Sequence, residues 1–424
     1  MSGSIGKCAV LLLALSTGGD FAQAAICGFR VCGPPPPPPV PPGSCLPSSS
    51  LGVLVTGTNV VAYFPKGAWD SSTTGVSAVN IEGTSITPTK ISTPNVTNSC
   101  ASNPVTGKTV CVANNTDVYV LTGTTLSTML TSSGSGTISF SGGSCTNCSV
   151  VMDAVHNKAG IGLSIAGAPG FQILNLANSV FQPEFKSPST EISEDPLIDP
   201  IRRLLLSAAE NNNYEIVNVA SFVAPTFFEN TISHSGFGEA DSSGEDCATG
   251  IALAPGEFSE PSQVFIADLT QAVFTSGTPK GTWTAPSQVQ TLTESFLSAG
   301  ASGLAVAQGT HTGIVNGEFG GNAITAIALP ATSGTGVPAI TDWVSCNIST
   351  GFNTGLDPHT VTAYQSPNGA KDAIALVGNG GATQIAVVDL TKMLNKTIVP
   401  RTVGGHGCTS VTLPASVVSF VTVP

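Results

Sequence analysis

The feature that most constrains this chain is a unit of short strands that recurs through most of its length. In one copy, an apolar strand ends in a tight turn at residues 148–157, a second strand covers 159–163, and a third covers 171–176. Later copies begin at Asp195 and near Asp357, and their third strands have similar sequences at 214–219 and 384–390. The strands are rich in Val and Ile and are bounded by Asn, Asp, Gly and Pro, which is typical of β-sheet structure.

Three short strands and a looser fourth, repeated about every fifty residues, are typical of β-propeller blades. The sequence therefore predicts an all-β chain in which residues 51–424 form one propeller. The innermost strands are predicted to start near Ser99, Cys148, Asp195, Cys247, Ser302, Asp357 and Cys408. This gives seven four-stranded blades, with six or eight as alternatives. The N-terminal strands at 51–55 and 60–64 lack a preceding innermost strand. We therefore expect the C-terminal strand from Cys408 to share their blade and close the ring.

The first fifty residues have a different composition from the rest. Residues 1–24 have the features of a secretory signal peptide, because Lys7 precedes a short apolar run and small residues at 22–24 form a cleavage site. That run is too short to span a bilayer. Residues 25–50 form a Cys- and Pro-rich segment whose proline run favours polyproline II, as a stiff spacer or as a strip for a proline-binding partner. We expect a secreted protein, periplasmic or extracellular, with no membrane span.

The charge of the chain limits its partners. It has 26 acidic and 14 basic residues, a formal net charge of −12, and only 9% charged residues. Nucleic acids and anionic membranes are bound by basic patches, so both are disfavoured. A protein or cell-surface partner remains.

The cysteines predict disulfides. Of the 11 cysteines, Cys8 lies in the expected signal peptide and would be removed with it. An even number then remains, and in an exported chain an even number favours disulfides. Cys100 and Cys111 lie on consecutive strands of one predicted hairpin and are a plausible pair. The other candidates are Cys27, Cys32, Cys145 and Cys148. The C-x-x-C spacing of Cys145 and Cys148 also leaves a redox pair or a metal thiolate as alternatives.

The turns and third strands resemble those of a known group of repeats. The turns are at 103–107, 153–157, 199–203 and 357–369, and the third strands are at 172–176, 264–269 and 384–390. Over residues 51–424 the chain resembles the YVTN-type and NHL-like β-propeller repeats, and more loosely the seven-bladed lactonase-like propellers. The resemblance implies the fold and carries no catalytic pattern.

Several acidic residues are predicted to meet at one mouth of the propeller channel. Glu194, Asp195, Asp241, Glu245, Asp246 and Asp357 precede innermost strands, His359 follows Asp357, and Glu318 lies in a second-to-third strand loop. One interpretation is that they cap turns through side-chain hydrogen bonds. The other is that Asp357, His359, Glu194, Asp195 and Glu318 bind Ca²⁺ or another divalent cation.

Two functional hypotheses follow. The chain contains no H-E-x-x-H, G-x-S-x-G or P-loop motif. The first hypothesis is an exported, non-enzymatic propeller that binds a partner or builds a surface structure. The alternative is an extracellular, metal-dependent hydrolase of the lactonase-like type, in which the cation at the channel mouth polarises a carbonyl and activates water.

Overall fold

The protein is described from a computed structural model. The described residues are 51–67, 73–113, 117–130, 147–164, 170–182, 185–186, 195–208, 212–220, 225–240, 242–257, 262–292, 301–317, 321–332, 334, 336–354, 360–368, 372–381 and 383–424, with two short strands nearer the N-terminus. The chain divides into two compact units, residues 1–41 and 42–424. In the first unit, β1 (Ile26–Cys27) pairs antiparallel with β2 (Arg30–Val31). The expected signal peptide and the proline run lie outside the described residues.

In the second unit, five sheets have the four to six strands of a single propeller blade. The first contains β10 (Asn147–Asp153), β11 (Lys158–Ser164), β12 (Gly170–Asn175), β13 (Val180–Phe181) and β14 (Phe185–Lys186). The second contains β15 (Leu197–Asp199), β16 (Leu204–Ala208), β17 (Asn213–Asn218), β18 (Thr226–Thr231), β23 (Val273–Thr275) and β24 (Gly281–Thr284).

The other three follow the same plan. The third contains β19 (Glu239–Ala240), β20 (Gly244–Asp246), β21 (Ile251–Glu257), β22 (Gln263–Asp268) and β25 (Ser287–Thr291). The fourth contains β26 (Ala301–Ala307), β27 (Thr312–Gly317), β28 (Ala323–Ala328), β29 (Asp342–Asn347) and β33 (Gly407–Thr412). The fifth contains β30 (Val361–Gln365), β31 (Ala373–Gly378), β32 (Gln384–Asp389) and β34 (Val418–Thr422).

The N-terminal strands form one continuous seven-stranded sheet. Its strands are β3 (Gly52–Thr56), β4 (Asn59–Pro65), β5 (Thr74–Glu82), β6 (Thr89–Asn103), β7 (Lys108–Ala113), β8 (Val118–Thr122) and β9 (Thr125–Leu130). The first half of β6 pairs with β5 and the second half with β7. The all-β propeller is thus confirmed, but the prediction of seven separate blades is wrong. Five separate blades are present among the described residues, and the long β6 joins the strands expected to form two more.

The predicted closure by a blade shared between the two chain ends is also wrong. The N-terminal sheet has its own first strand, β3, which pairs with β4. β33, which was expected to complete that sheet, pairs in parallel with β29, and β34 pairs with β32. The disulfide between Cys346 and Cys408, whose Cα atoms are 5.3 Å apart, fixes β33 to β29.

The N-terminal sheet and the fifth sheet are joined by side chains instead. The Glu82 carboxylate accepts hydrogen bonds from the Tyr364 hydroxyl (2.8 Å), Ser366 Oγ (2.9 Å) and Asn368 Nδ2 (2.7 Å). We call these four residues the Glu82 clamp. An apolar cluster also spans both sheets, and it includes Leu51, Phe64, Leu376 and Val423.

The remaining core consists of apolar faces that pack between neighbouring sheets. Val110 and Val112 of β7, for example, pack with Val150 and Met152 of β10. Helical structure is limited to a 3₁₀ turn at Leu269–Gln271 and to α1 (Leu390–Leu394) in the part of the chain that the structure describes. None of the described helices is long and apolar enough to cross a membrane.

Candidate interaction face and the charge cluster beneath it

Five turns between the first and second strands of successive repeats share one backbone geometry. They are residues 103–107, 153–157, 199–203, 246–250 and 307–311, and we call this set the turn face. The fifth residue of every turn has a positive φ: Gly107 69°, Asn157 52°, Arg203 60°, Gly250 75° and His311 53°. In two of the turns the N–H of this fifth residue donates a hydrogen bond to the carbonyl of the first residue. The bonds run from Gly107 to Asn103 (2.9 Å) and from Gly250 to Asp246 (2.7 Å).

An Asn or Asp at the first position caps four of these turns. Asn103 Oδ1 accepts from Val105 N (2.9 Å), and Asp153 Oδ1 accepts from His156 N (2.9 Å). Asp199 Oδ1 accepts from Ile201 N at 2.7 Å. Asp246 Oδ1 accepts from Ala248 N at 3.2 Å. The turn-capping interpretation of Asp246 is therefore confirmed, because such side-chain bonds hold the tight turn.

The third position of the same four turns holds an exposed apolar side chain. Val105 is 73% exposed, Val155 is 48% and Ile201 is 42%. Ala248, at the equivalent position in the fourth turn, is also exposed. Turn apices favour Gly, Asn, Asp and Ser, so an aliphatic residue at four successive apices is unusual.

Contacts between neighbouring turns place them side by side on one face. Asn103 Nδ2 donates to Asn157 Oδ1 at 3.1 Å. Arg202 Nη1 donates to the carbonyl of Cys247 at 3.0 Å. His311 Nδ1 lies 2.6 Å from Asp246 Oδ2. These bonds tie the first turn to the second, the third to the fourth and the fourth to the fifth.

A buried charge cluster lies beneath the third and fourth turns. Arg202 Nη1 is 2.9 Å from Asp199 Oδ2 and 3.5 Å from Glu245 Oε1, and both carboxyl groups are 0% exposed. Burial raises the pKa of Glu245 well above its ordinary value of 4.5, and the charge of Asp199 raises it further, although Arg202 opposes the shift. Burial alone would lower the pKa of Arg202, but Glu245 and Asp199 raise it. This environment therefore favours the neutral form of Glu245, and a hydrogen bond between its side chain and Asp199 acts in the same direction.

The cluster has metal-ligating residue types but does not suit a metal. Ligand atoms of Asp199, Glu245 and Cys247 lie within 4.8 Å of one another. Cys247, however, is disulfide-bonded and has no thiolate to offer. The guanidinium of Arg202 already supplies the positive charge between the carboxyl groups. The arrangement is a salt-bridge network that supports the turns.

The residues predicted at the channel mouth are only partly placed. Glu194, Glu318, Asp357 and His359 lie outside the described residues, so the divalent-cation site stays a prediction. Asp195 is described and is 2% exposed. Its backbone forms a parallel bridge with Ser242, and its carbonyl accepts from Ser243 N at 3.0 Å.

Glu245 and Asp246 are not where the sequence placed them. They were expected to precede an innermost strand that starts near Cys247. That strand is instead the three-residue β20, which contains both residues, and Asp246 is also the first residue of the fourth turn. The physical reason is that the apolar run after Cys247 belongs to the second strand, β21. Asp241 lies outside the described residues.

The disulfide predictions have mixed outcomes. The pair Cys100–Cys111 is confirmed, and the two residues are directly opposite in the β6–β7 register with Cα atoms 4.1 Å apart. Cys32 and Cys145 lie outside the described residues, and the side chains of Cys27 and Cys148 are not described, so those candidates stay predictions. The Cys346–Cys408 pair was missed, because nothing local in the sequence links residues 62 positions apart.

Sequence reasoning also missed Arg202 and Gln308. Gln308 Oε1 accepts from Cys247 N at 3.0 Å, and Arg202 bridges two turns. A signal was present for Arg202, since it follows Asp199 by three residues in a turn that resembles its neighbours. Its partner Glu245 is 43 residues away, and only the fold brings them together.

Comparisons with known proteins support the fold. No protein-family model matches the chain, and no curated protein matches it. Among solved structures, the crystal structure of the mitotic checkpoint complex contains a chain that is 11% identical, with a TM-score of 0.52, covering 84% of this chain and 96% of that one. The structure of U3-55K gives 8% identity and a TM-score of 0.45, covering 68% and 76%. The chain is thus similar in fold to that chain of the mitotic checkpoint complex, and its resemblance to YVTN or NHL repeats is not confirmed.

Proposed function

We propose that the protein is an exported, non-enzymatic propeller that binds a protein partner on its turn face. The single observation that carries this proposal is the row of exposed aliphatic apices, Val105, Val155 and Ile201, at one position of successive turns. Single exposed aliphatic residues are common on proteins. A set repeated at one position on one face, and rimmed by polar groups, is instead typical of an interaction surface.

The backbone under these apices favours binding. Each turn is held by its Asn or Asp cap, and neighbouring turns are tied by the Asn103–Asn157 and Arg202–Cys247 bonds. A surface that is already ordered loses little conformational entropy when a partner binds. Loops on a rigid scaffold are also where binding residues concentrate.

The disulfides support the proposed location. Cys100–Cys111 and Cys346–Cys408 are bonded, and disulfides persist in oxidising compartments. Together with the signal-like residues 1–24, they support secretion to the periplasm or the extracellular space. The similar chain of the mitotic checkpoint complex belongs to a multi-protein assembly by its name, which is consistent with a scaffold role for the fold.

The proposal is tested with two matched triple variants used as baits in quantitative affinity purification from the source cells and their medium. In V105S/V155S/I201S the turn face loses its apolar apices. In V180S/V337S/V403S, three exposed valines elsewhere are changed in the same way; they are 53%, 55% and 107% exposed. We expect the amount of partner protein recovered to fall at least about tenfold with V105S/V155S/I201S, since apolar anchors dominate binding energy. Recovery with V180S/V337S/V403S should match that of the wild type. Equal recovery with all three baits would contradict the proposal.

A further inference from the structure

We infer that the partner presents an acidic segment with apolar side chains to the turn face. This inference rests on the proposed function and names the chemistry of the partner at the same site. The observation behind it is that the cations of the turns lie on the solvent side and the carboxylates lie on the buried side.

Cations of the first three turns lie on the solvent side. Lys108 and Lys158 each follow the positive-φ residue, and Arg203 is that residue in the third turn; all three are partly exposed. The carboxylates of the same turns lie beneath, because Asp153 is 1% exposed and Asp199 is 0%. A partner that contacts the apices therefore meets cations before anions.

The local charge differs in sign from that of the whole protein. The five turns, extended to include Lys108 and Lys158, contain four cations, Lys108, Lys158, Arg202 and Arg203, against three carboxylates, Asp153, Asp199 and Asp246, a formal charge of +1 in a chain of −12. The remaining chain has a formal charge of −13, which disfavours an acidic partner over the rest of the protein as a whole. Charge complementarity at the rim of an apolar patch selects the partner and orients it.

Lys108 is held in place by a neutral partner. Its Nζ donates to the carbonyl oxygen of Leu176, 2.7 Å away, on the neighbouring repeat. A carbonyl fixes the position of the ammonium group but carries no net charge, so the positive charge remains available to a carboxylate. The aliphatic apex Val105 is three residues away in the same turn.

The occupant that fits is an extended or helical acidic peptide whose apolar side chains cover the apices while its carboxylates reach the lysines and arginines. A basic or proline-rich segment would not use the cations. A second copy of this chain, with its own net charge of −12, would be repelled unless an acidic patch met the turn face.

The test is selection from a random 12-residue peptide library on the purified wild-type protein, with V105S/V155S/I201S as the counter-selection. We expect peptides that depend on the apices to be enriched in Asp and Glu together with Leu, Ile, Phe or Trp. The best peptide is then measured by fluorescence anisotropy at 50 mM salt. It should bind K108Q/R203Q about fivefold or more weakly than the wild type, since each exposed charge pair contributes modestly. The matched charge-loss control, K392Q/K396Q, should change its affinity less than twofold.

The possible failures are distinguishable. Apex-dependent peptides that are basic, neutral or proline-rich would overturn the partner chemistry and leave the proposed function standing. Light scattering that shows dimers of the wild type and monomers of V105S/V155S/I201S would also overturn the partner chemistry, because the partner would then be a second copy of this chain. If no selected peptide depends on the apices, although the variant shows wild-type circular dichroism and melting, both proposals fail.

Discussion

Replacing Arg202 by methionine tests whether the buried charge cluster holds the turn face together. Methionine keeps much of the volume of the side chain but removes the cation between Asp199 and Glu245, whose side chains are 0% exposed. It also removes the bond to the Cys247 carbonyl that links the third and fourth turns.

The expected loss in the free energy of unfolding follows from the buried groups that the substitution leaves without a cation. Removing one partner of a fully buried ion pair costs about 3–5 kcal/mol. Here the Arg202 side chain is 20% exposed and burial favours the neutral form of Glu245, so the loss should lie at the lower end of this range. We expect the free energy of unfolding to fall by about 3 kcal/mol. The matched control is Glu245→Gln, which keeps the size of the side chain and its capacity to form hydrogen bonds but cannot ionise, and it should cost about 1 kcal/mol or less.

The same pair predicts a pH dependence. Glu245 binds its proton more tightly in the folded than in the unfolded protein, because burial raises its folded pKa above 4.5. Its contribution to stability is therefore fully present below about pH 4.5 and is lost as the pH rises through the folded pKa. Glu245→Gln cannot titrate, so the stability of the wild type relative to this variant should decrease as the pH rises above 4.5.

Urea unfolding of the three proteins, followed by circular dichroism at pH 4.5, 6 and 8, measures these differences. A loss below about 1 kcal/mol in R202M would refute the buried-pair argument, since an exposed pair contributes that little. A pH profile of E245Q parallel to that of the wild type would refute the raised pKa of Glu245.

Three further predictions concern the frame around the turn face. Glu82→Ala leaves three donors of the clamp without their acceptor and should cost about 2–3 kcal/mol in urea unfolding; a loss below about 0.5 kcal/mol would show that the apolar cluster alone closes the ring. Gly250→Ala places a Cβ atom at a φ of +75° and in contact with Arg202, so thermal melting should show a loss of at least about 2 kcal/mol; an unchanged melting temperature would contradict this. The double variant C346A/C408A opens a loop of 62 residues and should lower stability by up to about 4 kcal/mol; unchanged stability would mean that β33 is held to β29 by pairing alone.

The repeated strands could be predicted because their signals are local. Apolar strands and Asn, Asp or Gly turns alternate within each repeat, so β11, β12 and β32 fall within a residue or two of their predicted positions. The Cys100–Cys111 pair was equally accessible, since a short hairpin fixes which residues face each other.

The closure of the ring could not be predicted, because it depends on contacts between distant parts of the chain. β33 has the pattern of an innermost strand, but the disulfide to Cys346 places it beside β29. Glu82 and Tyr364 are 282 residues apart, and no pattern in either segment indicates the other.

The turn face was only half visible in the sequence. The Asn and Asp residues that cap its turns were recognised as turn signals, but the aliphatic residue two positions later was indistinguishable from core. Its exposure depends on the positive φ at the fifth position and on the packing of neighbouring repeats. The buried position of Glu245 depended in addition on the shortness of β20.

The central claim is that the turn face is where the protein binds. Hydrogen–deuterium exchange of the free protein and of its complex with the recovered partner or the selected peptide tests it most directly. The account predicts new protection of backbone amides in residues 103–108, 153–158 and 199–203. Protection confined to the segment around Asp195 or to the outer strands of the blades, with these three turns unchanged, would contradict it.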